Sequence, residues 1–120
     1  MKVLIIDDDA DIRFVAAMSL RAGGAIDVVE ASGGLDGVCK AREEQPDVIL
    51  LDMMMPKMDG SQTIAALRMQ RETATTPVIF LTAKTIAADI QGMKDLGAAG
   101  VLIKPFDPRT LAAEVLALLT

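Results

Sequence analysis

The 120-residue sequence predicts an α/β domain built on a doubly wound parallel sheet, and three observations carry that reading. Five short apolar runs alternate with helix-like stretches along the whole chain, the pattern of repeated βα units. Three of those runs are almost continuously apolar, as strands of a parallel sheet buried on both faces must be. Glycine, proline and aspartate fall at the boundaries, where turns and helix caps need them.

The first run, 2–7 (KVLIID), leads into a helix over about 10–22 that Gly23 and Gly24 end. Asp9 stands where a cap for that helix belongs. The second run, 27–31 (DVVEA), is followed by Gly33-Gly34 and a helix over about 34–44. The third, 48–52 (VILLD), leads through a loop to Asp59-Gly60-Ser61, a capping sequence for a helix over about 61–71. The fourth, 77–82 (PVIFLT), precedes a helix over about 85–97 that contains Gly92 and closes at Gly97. The fifth, 100–104 (GVLIK), precedes a helix near 108–119, with Asp107 as its cap and Pro108 at its first position. No repeat, low-complexity tract or linker interrupts the series, so one domain over 1–120 is expected.

Composition narrows the chemistry. Over half of the residues are hydrophobic, which marks a globular chain, yet no apolar run reaches the length of a membrane span. The absence of a signal segment and the single cysteine, Cys39, make a cytoplasmic location the expectation and leave no disulfide framework or cysteine metal cluster. A net charge of −5 and the lack of Tyr and Trp argue against nucleic-acid binding by this domain. There is no histidine, which excludes Ser-His-Asp catalysis, zinc-histidine sites and phosphohistidine carriage. Any chemistry rests on carboxylates, hydroxyls, lysine and backbone groups.

Open parallel sheets bind ligands beyond the carboxyl ends of their strands. Here those ends read Asp7-Asp8-Asp9, Asp52, Thr82-Ala83 and Lys104-Pro105. Each alone fits a loop, a cap or a surface charge; together they form a cluster that needs a reason. Two carboxylates ~4 Å apart repel by about 4 kcal/mol at an effective dielectric of about 20. Lys104 offsets part of such repulsion, and a hard divalent cation with oxygen ligands offsets more. A carboxylate is also a nucleophile towards phosphorus, giving an acyl phosphate whose formation the metal and Lys104 would assist. The neighbouring Met53-Met54-Met55 is apolar filler on this reading, because thioethers do not suit Mg²⁺; Met54 could also screen an acyl phosphate from water.

Four segments in order resemble the receiver (CheY-like) domains of two-component response regulators: VLIIDDDADIR, DVILLDMMMPKMDG, PVIFLTA and GAAGVLIKPF. The resemblance runs from end to end. It implies the flavodoxin-like three-layer sandwich with strand order 2-1-3-4-5. It implies Asp52 as phosphoacceptor, and Asp7, Asp8, Asp52 and the Met54 backbone carbonyl as ligands of Mg²⁺ (or Mn²⁺), with Asp8 favoured as a direct ligand. Thr82, Ala83 and Lys104 would contact the phosphoryl group, and Lys104-Pro105 would be a cis peptide. The donor would be the phosphohistidine of a histidine kinase or histidine phosphotransfer protein, received at Ile12, Val15, Pro105 and Phe106. The signal would pass to a downstream effector domain or protein, and the only catalysis would be of the domain's own phosphorylation and dephosphorylation.

One departure stands out. The position three before Lys104 is usually aromatic in the family and follows the strand-four hydroxyl inward on activation; here it is Val101. A degenerate receiver used only for binding, or a phosphoryl sink, is therefore the alternative. A flavodoxin-like cofactor module would need a Ser/Thr/Gly-rich phosphate loop where Asp7-Asp8-Asp9 stands. An aspartate-nucleophile phosphatase would place its nucleophile after the first strand and need a cap domain. The last helix carries little charge beyond Arg109 and Glu114, and its outer face is expected to offer a homodimer or partner contact. A stand-alone regulator and the receiver of a longer protein both fit this length.

Overall fold

A computed structural model describes residues 1–24 and 26–120. Its sheet is formed by β1 (Lys2–Ile6), β2 (Asp27–Ala31), β3 (Val48–Asp52), β4 (Val78–Thr82) and β5 (Gly100–Ile103). All neighbours are parallel and the order is β2-β1-β3-β4-β5. The helices are α1 (Ala10–Ala22), α2 (Gly34–Glu44), α3 (Gly60–Met69), α4 (Ala87–Asp95) and α5 (Leu111–Leu119), with a short 3-10 turn at Arg71–Thr73.

Alternation along the strands divides the core into two layers. Val3, Ile5, Val48, Leu50, Ile79 and Leu81 face α1 and α5, where they meet Ala16, Leu20, Leu111 and Val115. Leu4, Ile6, Ile49, Leu51, Val78 and Phe80 face the opposite way and meet Ala41, Ile64, Leu67 and Met93 of α2, α3 and α4. These strand residues are fully buried, each contributing about 1.5–3 kcal/mol of transfer free energy. Both faces are covered, which is why the inner strands β1, β3 and β4 are apolar at nearly every position, while the edge strand β2 carries Asp27 and Glu30.

The helix starts show how the site is held. Asp9 caps α1, accepting hydrogen bonds from the Asp11 and Ile12 N–H groups. Asp59 caps α3 and shares a reciprocal capping box with Gln62. At the fifth helix the sequence reading needs correction. Asp107 accepts from the Arg109 N–H through its side chain (2.9 Å), and its carbonyl accepts from Thr110 and Leu111. Those local bonds fold 108–110 into a turn, so the helix begins at Leu111, not at Pro108. The fourth helix is also shorter than expected, starting at Ala87 without a capping side chain.

Candidate functional site

The carboxyl edge of the sheet gathers the strand-end residues. β1 and β3 are adjacent, so Asp7, one residue beyond β1, comes beside Asp52, the last residue of β3. Lys104, one residue beyond β5, reaches across β4 to both. Its Nζ lies 2.9 Å from Asp7 Oδ2 and 3.1 Å from Asp52 Oδ1. Asp7 is fully buried and Asp52 nearly so, whereas Asp8 is exposed at the rim. Asp7 Oδ1 also accepts from the Asp9 N–H (2.9 Å), and Asp52 Oδ1 from the Met54 N–H (3.3 Å).

The electrostatics are those of a crowded acidic pocket. Burial, then the charge of Asp7, pushes the Asp52 carboxyl up from its ordinary 3.8 to about 6, against the lowering pull of Lys104. Burial pulls Lys104 down, but the hydrogen bonds and charges of Asp7 and Asp52 outweigh it and leave its pKa above the ordinary lysine value. One oxygen from each of Asp7, Asp8 and Asp52 lies within 4.8 Å of the others. Three hard carboxylate donors, without a thiolate or imidazole among them, are the donor set of Mg²⁺ or Mn²⁺.

Thr82 ends β4 and is buried, its Oγ1 accepting from the Lys84 N–H at 3.0 Å. Ala83 follows, exposed. The Lys104-Pro105 bond is cis. Met54 is exposed beside Asp52, while Met55 is buried in the core. Val101 pairs with Phe80 and packs, half-buried, against the core layer beneath α4.

An open pocket of about 410 Å³ borders the acidic edge, lined by Asp11, Ile12, Val15, Ala83, Lys104, Pro105 and Phe106. Ile12, Val15, Pro105 and Phe106 thus share one surface. Beside it the outer face of α1 exposes Phe14 and Met18, both more than half accessible. The sequence did not single these two out, because apolar residues surround α1 on nearly every side and their exposure cannot be told from periodicity. Arg13 was missed as well. It reads as a solvated helix charge, yet its side chain is largely buried and donates from Nη1 to the Asp7 carbonyl at 2.7 Å.

Comparison with known proteins agrees with this geometry. The family model for the response regulator receiver domain matches residues 3–116. The DNA-binding dual master transcriptional regulator RpaA of Synechocystis sp. is 44% identical over 119 residues, which cover 98% of this chain and 48% of that protein. The alkaline phosphatase synthesis transcriptional regulatory protein PhoP of Bacillus subtilis is 39% identical over 118 residues, with the same coverage of 98% and 48%. The chain spans about half the length of these curated relatives. The chemotaxis response regulator CheY4 of Vibrio cholerae superimposes with a TM-score of 0.90 at 37% identity, covering 98% of this chain and 97% of that one. Since the family model runs through both core layers and every strand end of the acidic edge, the chain belongs to the receiver domains of two-component response regulators.

Proposed function

We propose that this receiver takes a phosphoryl group onto Asp52 from a partner phosphohistidine. The observation that carries the reading is the Lys104 ammonium shared between Asp7 and Asp52, with a third carboxylate, Asp8, in ligand range of both. An Asp52 oxygen attacks phosphorus, the bond from phosphorus to the donor nitrogen breaks, and the donor histidine leaves with its electron pair. Lys104 follows the developing charge on the phosphoryl oxygens, and the Thr82 hydroxyl and Ala83 N–H donate to them. Asp8, Asp52, Asp7 and the Met54 carbonyl would hold a divalent ion, which would supply further charge neutralisation when bound. Asp52 must be ionised to attack, and with its pKa at about 6 it is mostly so at neutral pH.

The apolar pocket formed by Ile12, Val15, Pro105 and Phe106, extended by Phe14 and Met18, receives the donor helix of the histidine kinase or phosphotransfer protein. Domain 1–120 then acts on a downstream effector, as an attached domain or a separate protein, in the cytoplasm. The names of the relatives as transcriptional regulators favour gene control as the output. The exposed Leu116 on α5 supports a homodimer contact there, to be read by sedimentation with and without a phosphoryl mimic. The domain catalyses no reaction except its own phosphorylation and dephosphorylation.

Intact-mass spectrometry with Mg²⁺ and acetyl phosphate tests the central step. One added phosphoryl group is expected on the wild type and none on Asp52→Asn. Equal labelling of both would remove Asp52 from the role.

A further inference from the structure

Beyond the carboxylates themselves, the acidic pocket has a built support. In a parallel strand the N–H and C=O of one residue point to the same neighbour. Asp7 donates its N–H to the Ala31 carbonyl of β2 at 3.2 Å, so its own carbonyl is directed to the same side. The register between β1 and β2 runs from Lys2↔Asp27 to Ile6↔Ala31 and stops there. The Asp7 carbonyl thus falls past the end of the ladder. Arg13 fills the position: one turn into α1, it reaches back and donates from Nη1 at 2.7 Å. Its Nε lies 3.4 Å from Glu30 Oε1 on β2, which fixes the guanidinium from a second side. The side chain is 18% exposed, well placed for a charge-assisted hydrogen bond to act at full strength.

The carbonyl held in this way belongs to the peptide that joins Asp7 to Asp8. The next peptide, joining Asp8 to Asp9, is held by the bond from the Asp9 N–H to Asp7 Oδ1. Asp8 is exposed, and these two peptide planes set the direction in which its side chain leaves the backbone. We propose that Arg13, braced by Glu30, is a positioning residue for the divalent-cation site: by fixing the Asp7–Asp8 peptide it holds both carboxylates at ligand distance from Asp52. This rests on the reading of Asp7, Asp8 and Asp52 as the metal site. Groups that orient ligands in this manner typically carry about 10–100-fold of metal affinity.

The experiment is Mg²⁺ titration by isothermal calorimetry, with circular dichroism confirming the fold of each variant at the same temperature. Arg13→Met is expected to bind Mg²⁺ about tenfold more weakly than the wild type. Arg13→Lys should fall between the two, because an ammonium can meet the Asp7 carbonyl or Glu30 but lacks the fork that meets both. Glu30→Gln should weaken binding by a smaller factor. Arg21→Met is the control for a purely structural arginine: Arg21 bonds the Val28 carbonyl of the same strand, and its loss should leave Mg²⁺ affinity unchanged. Wild-type affinity in a folded Arg13→Met would overturn the proposal, even if that variant melts earlier. Should Arg13→Met fail to fold, Arg13→Lys decides: weakened binding supports the proposal, and unchanged binding overturns it. Asp8→Asn separates this failure from that of the site itself. If Asp8→Asn binds Mg²⁺ as the wild type does, the metal-site reading has failed; if only the Arg13 variants do, the positioning role has.

Discussion

At Asp52 the pocket favours the neutral carboxyl, with a folded pKa of about 6 against an ordinary 3.8. Well below its ordinary 3.8 the group is protonated in both states and contributes nothing to stability. As pH rises towards 6 the unfolded chain loses the proton before the folded one, so the folded state binds more protons and stability falls. Well above pH 6 the fold carries the full cost of the buried charge, on the order of 3 kcal/mol. In EDTA, Asp52→Asn should therefore melt higher than the wild type at pH 7, with the gain vanishing as pH falls well below 3.8. Lys104 keeps Asp7 as its partner in that variant, so no buried cation is left alone. A variant that melts lower at pH 7 would mean that the Lys104–Asp52 attraction outweighs the desolvation. Asp8 differs because it is exposed. Its replacement by asparagine should move the metal-free melting temperature little, yet remove the stabilisation that Mg²⁺ gives the wild type; a full Mg²⁺ shift in Asp8→Asn would count against direct ligation. The carboxylates could be found in the sequence because strand ends converge in any parallel sheet. Arg13 could not, since only the end of the β1–β2 register reveals which carbonyl it serves.

The elements differ in how firmly the sequence defines them. Each strand is a short run with an apolar centre, closed by polar or turn residues, and all five fall within about one residue of their expected limits. The ends of α4 and α5 are less legible. They depend on competition between helical bonds and local side-chain bonds, as Asp107 shows at the turn before α5. Helix α4 buries only Met93 fully and has no side-chain cap. Gly92 sits on its outer face, where an added Cβ would meet nothing within 4 Å. Gly92→Ala should thus stabilise the protein by about 0.5–1 kcal/mol, raising the melting temperature by roughly 2–5 °C. Gly37 in α2 is the counterexample. A Cβ there would lie 2.5 Å from Ile6 Cδ1, so Gly37→Ala should destabilise although alanine is the better helix former. Thermal melts of the two variants check both signs, and a gain at Gly37 would show that α2 can lift from the sheet at little cost.

At the scale of the whole molecule, the open question is how an event at Asp52 reaches a partner surface when residue 101 is valine. The resemblance implies a hydroxyl that moves and an aromatic ring that follows. Thr82 can make the first move: its Oγ1, which now accepts from the Lys84 N–H, would turn to donate to a phosphoryl oxygen. Val101 cannot make the second, because its side chain is short and stiff about its first torsion. It is already packed against the layer formed with Ile90 and Met93. The displacement at Thr82 has another route. Residues 83–88 are all exposed and lead into α4, which is thinly buried, uncapped by any side chain and weakened by Gly92. The far end of that helix is tied more firmly, since the Gly97 carbonyl accepts from Arg68, which also holds the Thr73 and Thr76 carbonyls. Motion should then be greatest at the start of α4 and fade towards Gly97. With ¹⁵N-labelled protein, Mg²⁺ and beryllofluoride as the phosphoryl mimic, the largest amide shift changes are expected between Ala83 and Gly97, and Thr82→Ala should shrink them. If α4 stayed still while the surroundings of Val101 changed most, this route would be wrong. If neither changed with Asp52 fully modified, the domain would hold its phosphoryl group without switching, and a carrier or sink would describe it better.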